Sequence, residues 1–228
     1  MKILLFRLEG FLQSWGEHSS WTNRDTAYIP TKSGIIGILS SCLGYHRNDS
    51  RIKALNDALS IGIRVDRQGE VIRDYHTVQG SVEIGPNRTG FKNAQRKIRL
   101  GGNTIVSNRY YLEDASFLVA VAGEESLLKQ VDKAMCHPMH VAFLGRKACL
   151  PSVPLIPIMK EYESLEDALK CEAVCDRNDG TVLPAEFDYG TDAGKTYGYR
   201  TDAVQSFANR TFNTRKVIRK NIKVETEA

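Results

Sequence analysis

The chain has 228 residues, 42% of them hydrophobic and 25% charged, with a formal net charge of +4. That length suits one large domain or two small ones, and that balance excludes disorder. No apolar run approaches the roughly 20 residues that span a bilayer, so we expect a cytoplasmic protein without membrane contact.

Ile3 to Leu8 reads as a first strand, and Arg7 and Glu9 interrupt the apolar run too early for a signal peptide. Gly10 to Ile29 is polar and irregular. Of its tryptophans, Trp15 reads as a plug at a core edge, and Trp21, beside Arg24 and Lys32, is open between that role and base stacking. From Gly34 to Leu43 the apolar spacing is helical, with Thr31 or Ser33 as N-cap and Gly44 as terminator. A second helix is expected from Asn48 or Asp49 to Leu59.

Ser60 to Asp66 alternates Ile61, Ile63 and Val65 with Gly62 and Arg64. Arg67-Gln68-Gly69 then turns the chain and Val71 to Val78 returns, which predicts a hairpin. The next thirty residues carry five glycines and suggest a functional insertion. Lys97–Leu100 and Thr104–Val106 form a possible hairpin within it. Tyr110 to Val121 predicts a strand, Glu124 to Met135 an amphipathic helix, and Val141 to Leu144 a short strand before the basic turn Gly145-Arg146-Lys147.

The resulting order is β-α-β-β-α-β, an α+β, ferredoxin-like arrangement shared with the RNA recognition motif. Fold alone does not set function. We place this domain at residues 1–150, with the insertion at about 80–109, and a small strand-rich unit at 151–228. In that unit a short helix closes near Asp167–Leu169, turns fall at Asn178–Gly180, Tyr189–Gly190 and Ala193–Gly194, and Lys216–Val224 is a final edge strand.

Charge is distributed unevenly. Gly80 to Arg109 holds six cations (Arg88, Lys92, Arg96, Lys97, Arg99, Arg109) and one acid, Glu83. Arg210 to Lys223 holds six more and no acid. A local excess of one sign suits a polyanion, although a solvated basic loop reads the same way.

Catalytic and metal signals are sparse. The five cysteines form no C-x-x-C pair, so we expect reduced thiols, no metal and no cofactor. Pro30-Thr31-Lys32-Ser33-Gly34 lacks both glycines of a Walker loop. A helix start with free N–H groups, a hydroxyl and a lysine can still hold a phosphate, or be simply capped. Asp74-Tyr75-His76-Thr77 offers groups for acid–base work, but none of the five histidines is paired at a site-marking spacing. Nucleophile elbows and H-E-x-x-H are absent. We expect a protein that binds RNA without cutting it.

Several blocks together resemble one family. Leu8-Glu9-Gly10, Gln13-Ser14-Trp15-Gly16, Pro30 to Gly37, Cys42-Leu43-Gly44, Arg73 to Val78 with Gly80, Tyr111-Leu112-x-Asp114-Ala115-Ser116-Phe117 and Leu144-Gly145-Arg146-Lys147-x-Cys149 resemble, in order, the CasD family. That family supplies the guide-RNA handle-binding subunit of type I-E CRISPR surveillance complexes (Cascade). The resemblance runs from Leu8 to about Leu155.

It implies a ferredoxin-like fold with a projecting thumb hairpin at Gly80 to Arg109. It also implies a grip on the 5′ handle of the guide RNA, contact with the backbone and large subunits, and target DNA met only through the complex. On this reading Arg24, Lys32, Ser33 and Gly34 lie near RNA at the helix start. Arg64, Arg73 and His76 flank its path on the sheet. Arg88, Lys92, Arg96, Lys97, Arg99 and Arg109 line the thumb, and Arg146 and Lys147 meet phosphates. The rival expectation is a metal-independent endoribonuclease using His76, Tyr75 or Tyr28 with a lysine.

Overall fold

The computed structural model describes residues 1–18, 20, 22–78, 104–175, 182–188 and 197–224. Its strands are β1 (Lys2–Gln13), β2 (Asn23–Arg24), β3 (Ser60–Arg67), β4 (Glu70–Val78), β5 (Ile105–Ala122), β6 (Ile158–Glu161), β7 (Val182–Asp188), β8 (Tyr197–Ser206) and β9 (Thr211–Lys223). The helices are α1 (Lys32–Cys42), α2 (Arg51–Ala58), α3 (Glu125–Cys136) and α4 (Leu165–Cys171). Neighbours in the sheet run β6-β1-β5-β3-β7-β9-β8, and β2 and β4 also join β5. The fold is α+β on a mostly antiparallel sheet; β2 is parallel to its partner.

Successive strand side chains point to opposite faces. In β1, Leu4, Phe6 and Leu8 enter one core while Ile3 and Leu5 enter another. A strand buried on both sides reads as an unbroken apolar run, which is why Ile3 to Phe6 does not alternate with polar residues. Residues of α1, α2 and α3 fill the first core, including Ile35, Leu39, Ile52, Leu55, Leu128 and Val131. Leu165, Ala168 and Leu169 of α4 fill the second, with Phe187, Ile218 and Ile222 from the C-terminal strands. Each fully buried side chain of this size stabilises by about 1.5–3 kcal/mol.

Three sequence expectations change. Residues 60–66 and 71–78 do not pair with each other. Both lie along β5: the register shifts once between Val65 and Arg67, then runs on from Glu70↔Glu113 to Val78↔Ile105. Gly69 takes a positive φ of 70° and faces a second irregularity at Asp114, φ 53°, so Arg67-Gln68-Gly69 is a kink in one long strand rather than a reversal. A Cβ on Gly69 would collide with the Glu113 carbonyl oxygen. Ile105 and Val106 pair with Val78 and Thr77; the hairpin expected between 97–100 and 104–106 falls partly outside the described residues.

Residues 141–144 form no strand. Their segment folds over β1, with the Ser14 N–H donating to the Leu144 carbonyl at 3.0 Å and the Ser152 N–H to the Glu9 carbonyl at 2.9 Å. The sheet position beside β1 is taken by β6. Finally, β9 is an interior strand, paired with both β7 and β8, and β7 joins β3, so the C-terminal strands extend the same sheet. The turns expected at 178–180, 189–190 and 193–194 lie outside the described residues.

Candidate nucleic-acid interface

Beyond the kink, β4 and the first half of β5 form a ribbon that leaves the helix layer. Its burial alternates between exposed and half-buried along β4. The register places Asp74 opposite Arg109 and His76 opposite Ser107 on one face, and Arg73 opposite Tyr110 and Tyr75 opposite Asn108 on the other. On the far side of β5, β2 sets Arg24 beside Arg109 and Asn23 beside Asn108. One face therefore gathers Arg24, Arg109, Asp74 and His76. The His76 Nδ1 lies 3.4 Å from an Asp74 carboxylate oxygen, and the Arg109 Nε donates to the Ser107 hydroxyl at 3.3 Å. The other face shows Arg73, Tyr75, Thr77 and Tyr110, with Tyr75 62% exposed.

Arg146 holds this region together from below. Its guanidinium donates to the carbonyls of Tyr110 at 3.1 Å, Arg24 at 2.8 Å and Asp25 at 3.1 Å, and it stacks 4.7 Å above the Tyr111 ring. Arg146 thus fixes the backbone that presents Arg24; its neighbour Lys147 is exposed. A two-residue strand such as β2 carries no recognisable sequence signal, so its place against β5 was not legible.

The start of α1 is occupied from within. The Thr31 hydroxyl caps the Gly34 N–H at 3.1 Å, and the Ser33 hydroxyl lies 3.2 Å from it. The Lys32 N–H donates to Asp202 at 2.7 Å. The Lys32 ammonium, on a residue only 8% exposed, reaches Asp188 at 2.8 Å and the Leu59 carbonyl at 2.8 Å. Gly34 is a packing glycine, since a Cβ there would lie 2.7 Å from the Trp15 ring. Trp15 itself is a core plug, 1% exposed and hydrogen-bonded through Nε1 to Gln13 at 3.1 Å. Internal carboxylates already hold both the N–H and the ammonium of Lys32, so the phosphate role expected of Lys32 is set aside.

Arg64 is likewise internal. It is 0% exposed and spends its donors on Asp66 and on the carbonyls of Leu169, Glu172 and Ala173. The alternation of β3 placed it on the polar face, and that face is covered by α4. The expected RNA contact at Arg64 is set aside for the same reason. The thumb cations Arg88, Lys92, Arg96, Lys97 and Arg99, together with Trp21, lie outside the described residues.

Three cations of the second basic run are held in ion pairs. Arg215 pairs with Asp188, Asp202 and Glu186, Arg219 with Glu186, and Lys220 with Glu166. Burial pushes the Asp202 carboxyl up, but the hydrogen bond from Arg215 and the charges of Arg215 and Arg200 outweigh it and hold it below the ordinary range. The acids of this network come from β7, β8 and α4, and no spacing in the sequence announced their partners. Among the described residues, no group of three His, Cys, Asp or Glu side chains is placed to hold a metal ion.

Comparison with known proteins places the chain in a family. The family model described as CRISPR-associated protein (Cas_Cas5) matches residues 3–218, and the chain belongs to that Cas5 family. It is 35% identical over 164 residues to the CRISPR system Cascade subunit CasD of Escherichia coli (strain K12), covering 67% of this chain and 68% of that protein. A chain of a CRISPR RNA-guided surveillance complex superposes with a TM-score of 0.75 at 29% identity, over 97% of this chain and 90% of that one. A crystal structure of a Cas protein gives 0.71 at 29% identity, over 97% and 95%.

Proposed function

We propose that this chain is the RNA-holding, non-catalytic subunit of a type I-E CRISPR surveillance complex, gripping the 5′ handle of the guide RNA. The observation that carries the reading is the ribbon of β4 and β5, whose one face gathers Arg24, Arg109 and His76. The chain leaves this ribbon at Val78 and rejoins it at Ile105, so the basic segment is inserted at its far end. The neighbour order β6-β1-β5-β3, with helices between β1 and β3 and between β5 and β6, supports a ferredoxin-like domain with a thumb. Likeness to a Cascade subunit supports a place in such a complex in the cytoplasm. There the chain would contact the backbone and large subunits and meet target DNA only through them. We retain the division near residue 150 as part of this reading.

Strand alternation disfavours a catalytic pairing of Tyr75 with His76. Tyr75 and His76 are consecutive on β4 and point to opposite faces, so they do not flank one phosphodiester. The remaining ribbon cations suit phosphate contact, with bases left for other edges.

Two measurements test the proposal. In a titration of handle RNA against salt, Arg24→Ala and Arg109→Ala should each weaken binding. Each should also make the slope of log K on log salt shallower, by about 0.7 for every phosphate no longer neutralised. Unchanged affinity and slope in both would overturn it. Incubation of the purified chain with repeat RNA in EDTA should leave the RNA intact. Specific cleavage abolished by His76→Ala would establish the endoribonuclease instead.

A further inference from the structure

We infer that Arg200, on β8 and remote in sequence from the ribbon, is a positioning residue that sets Arg24 in place by clamping both ends of the connection between β1 and α1. The inference rests on the RNA-holding reading above. Arg24 lies inside that connection, on a strand only two residues long. So short a strand does not fix its own position. What fixes it is a set of contacts from outside.

At one end of the connection is Glu17, which accepts a hydrogen bond from the Arg200 Nε. At the other end the Arg200 Nη2 donates to the Ile29 carbonyl at 3.2 Å and Nη1 to the Pro30 carbonyl at 3.1 Å. Nη1 also reaches Glu186 at 2.8 Å, which ties the clamp to β7. One planar fork thus gathers acceptors thirteen residues apart along the chain, from Glu17 to Pro30. Lysine, with a single nitrogen, cannot span that spread of acceptors.

Between these ends the connection is pinned twice more. The Ala27 N–H donates to the Trp15 carbonyl at 2.7 Å, and the Trp15 N–H to the Thr26 hydroxyl at 2.9 Å. Arg146 holds the carbonyls of Arg24 and Asp25. The Asn108 N–H donates to the Thr22 carbonyl at 2.8 Å, so the placed connection is what docks on β5.

Arg200 is 4% exposed, and burying a guanidinium is costly unless its partners are well placed. Burial pushes its pKa down, but Glu186, Asp202 and Glu17 outweigh this, so the clamp is charged. An apolar side chain would fill β8 at less cost. It would not close the ends of a connection that carries an RNA-facing cation.

The test uses the full chain and the variants Glu17→Ala, Arg24→Ala and the pair together. Glu17 lies at the partly exposed end of the clamp, so its removal loosens the connection without emptying a core. In Glu17→Ala, amide exchange should speed up in the peptide covering residues 22–28 and stay unchanged in β1, β5 and α1. Affinity for handle RNA should fall by about fivefold, within the range of one coupled contact. Adding Arg24→Ala should then cost no more than Arg24→Ala alone. Unchanged exchange in that peptide, or fully additive losses, would overturn the clamp. If Arg24→Ala alone leaves RNA affinity intact, the RNA contact of Arg24 fails instead, and the exchange result still reports on Arg200. Arg200→Lys should reproduce the faster exchange, because the charge remains and the fork does not.

Discussion

Replacing Arg64 by methionine should lower the stability of the chain by about 2–5 kcal/mol while leaving the RNA affinity of the folded protein unchanged. The two halves of this result separate an internal role from an RNA contact. Arg64 uses its whole fork. Nε and Nη2 hold Asp66 at 2.6 and 3.1 Å, Nη1 serves the Leu169 carbonyl and, at 2.7 Å, that of Glu172, and Nη2 serves the Ala173 carbonyl at 2.8 Å. The last carbonyls of a helix lack partners of their own, and here Arg64 supplies them at the end of α4.

Methionine restores the volume of the stem but none of these donors. Asp66 keeps Arg7 and the Cys175 N–H, so its charge is not stranded. The Ala173 carbonyl keeps Arg7 at 3.0 Å, so the loss falls mainly on the Leu169 and Glu172 carbonyls, at about 1–3 kcal/mol each and not additive. A urea midpoint measures the first half, and an RNA titration well below that midpoint measures the second. An unchanged midpoint with weakened RNA affinity would return Arg64 to the surface role that its sequence position suggested.

Why Arg64 misled is a matter of range. Strand alternation correctly put Ile61, Ile63 and Val65 on one face and Gly62 and Arg64 on the other. It did not say what covers the second face, because α4 and the segment to Ala173 return to it from about a hundred residues later. Gly62 shows the same dependence, since a Cβ there would lie 3.1 Å from Phe187.

Lys32 was legible as a helix start, and Thr31 as its cap, because those signals are local. Its partners Asp188 and Asp202 were not, because nothing near Lys32 in sequence points to them. Likewise Arg67-Gln68-Gly69 has turn chemistry, and Gly69 does need its positive φ. Whether such a residue reverses a strand or merely kinks it depends on the partner, and β5 is long enough to pair on both sides of it. Of the segment expected at 80–109, Ile105 to Arg109 belong to β5, and residues 79–103 lie outside the described residues. Its six cations enter the functional reading through charge; of these, Arg109 is placed, on β5 beside Arg24.

Asp202→Asn should destabilise the chain by about 3 kcal/mol at pH 7, by a gap that closes as the solution is acidified. Asp202 joins three elements. One oxygen accepts from the Lys32 N–H at 2.7 Å, at the positive end of α1, and from Arg215 Nη2 at 3.0 Å. The other accepts from Arg215 Nε at 2.6 Å. Arg200 Nε is 3.7 Å away. Asparagine retains the shape but presents an amide N–H₂ where one oxygen stood, setting donor against donor at Arg215 or at Lys32. It also leaves two buried guanidinium groups with one negative charge fewer.

The sign of the pH effect follows from the depressed folded pKa of Asp202. An unfolded aspartate titrates near about 3.9. Above that value the folded state gains the full benefit of the carboxylate, and the benefit is lost as pH falls through the lower folded value. Protonated wild-type Asp202 then resembles the amide. Urea midpoints of the two chains should therefore differ most at neutral pH and converge below about pH 4. Other carboxylates titrate equally in both chains and cancel in the difference. A gap that stays constant from neutral pH into the acid range would mean that Asp202 is not the ionised link between β8, β9 and the start of α1.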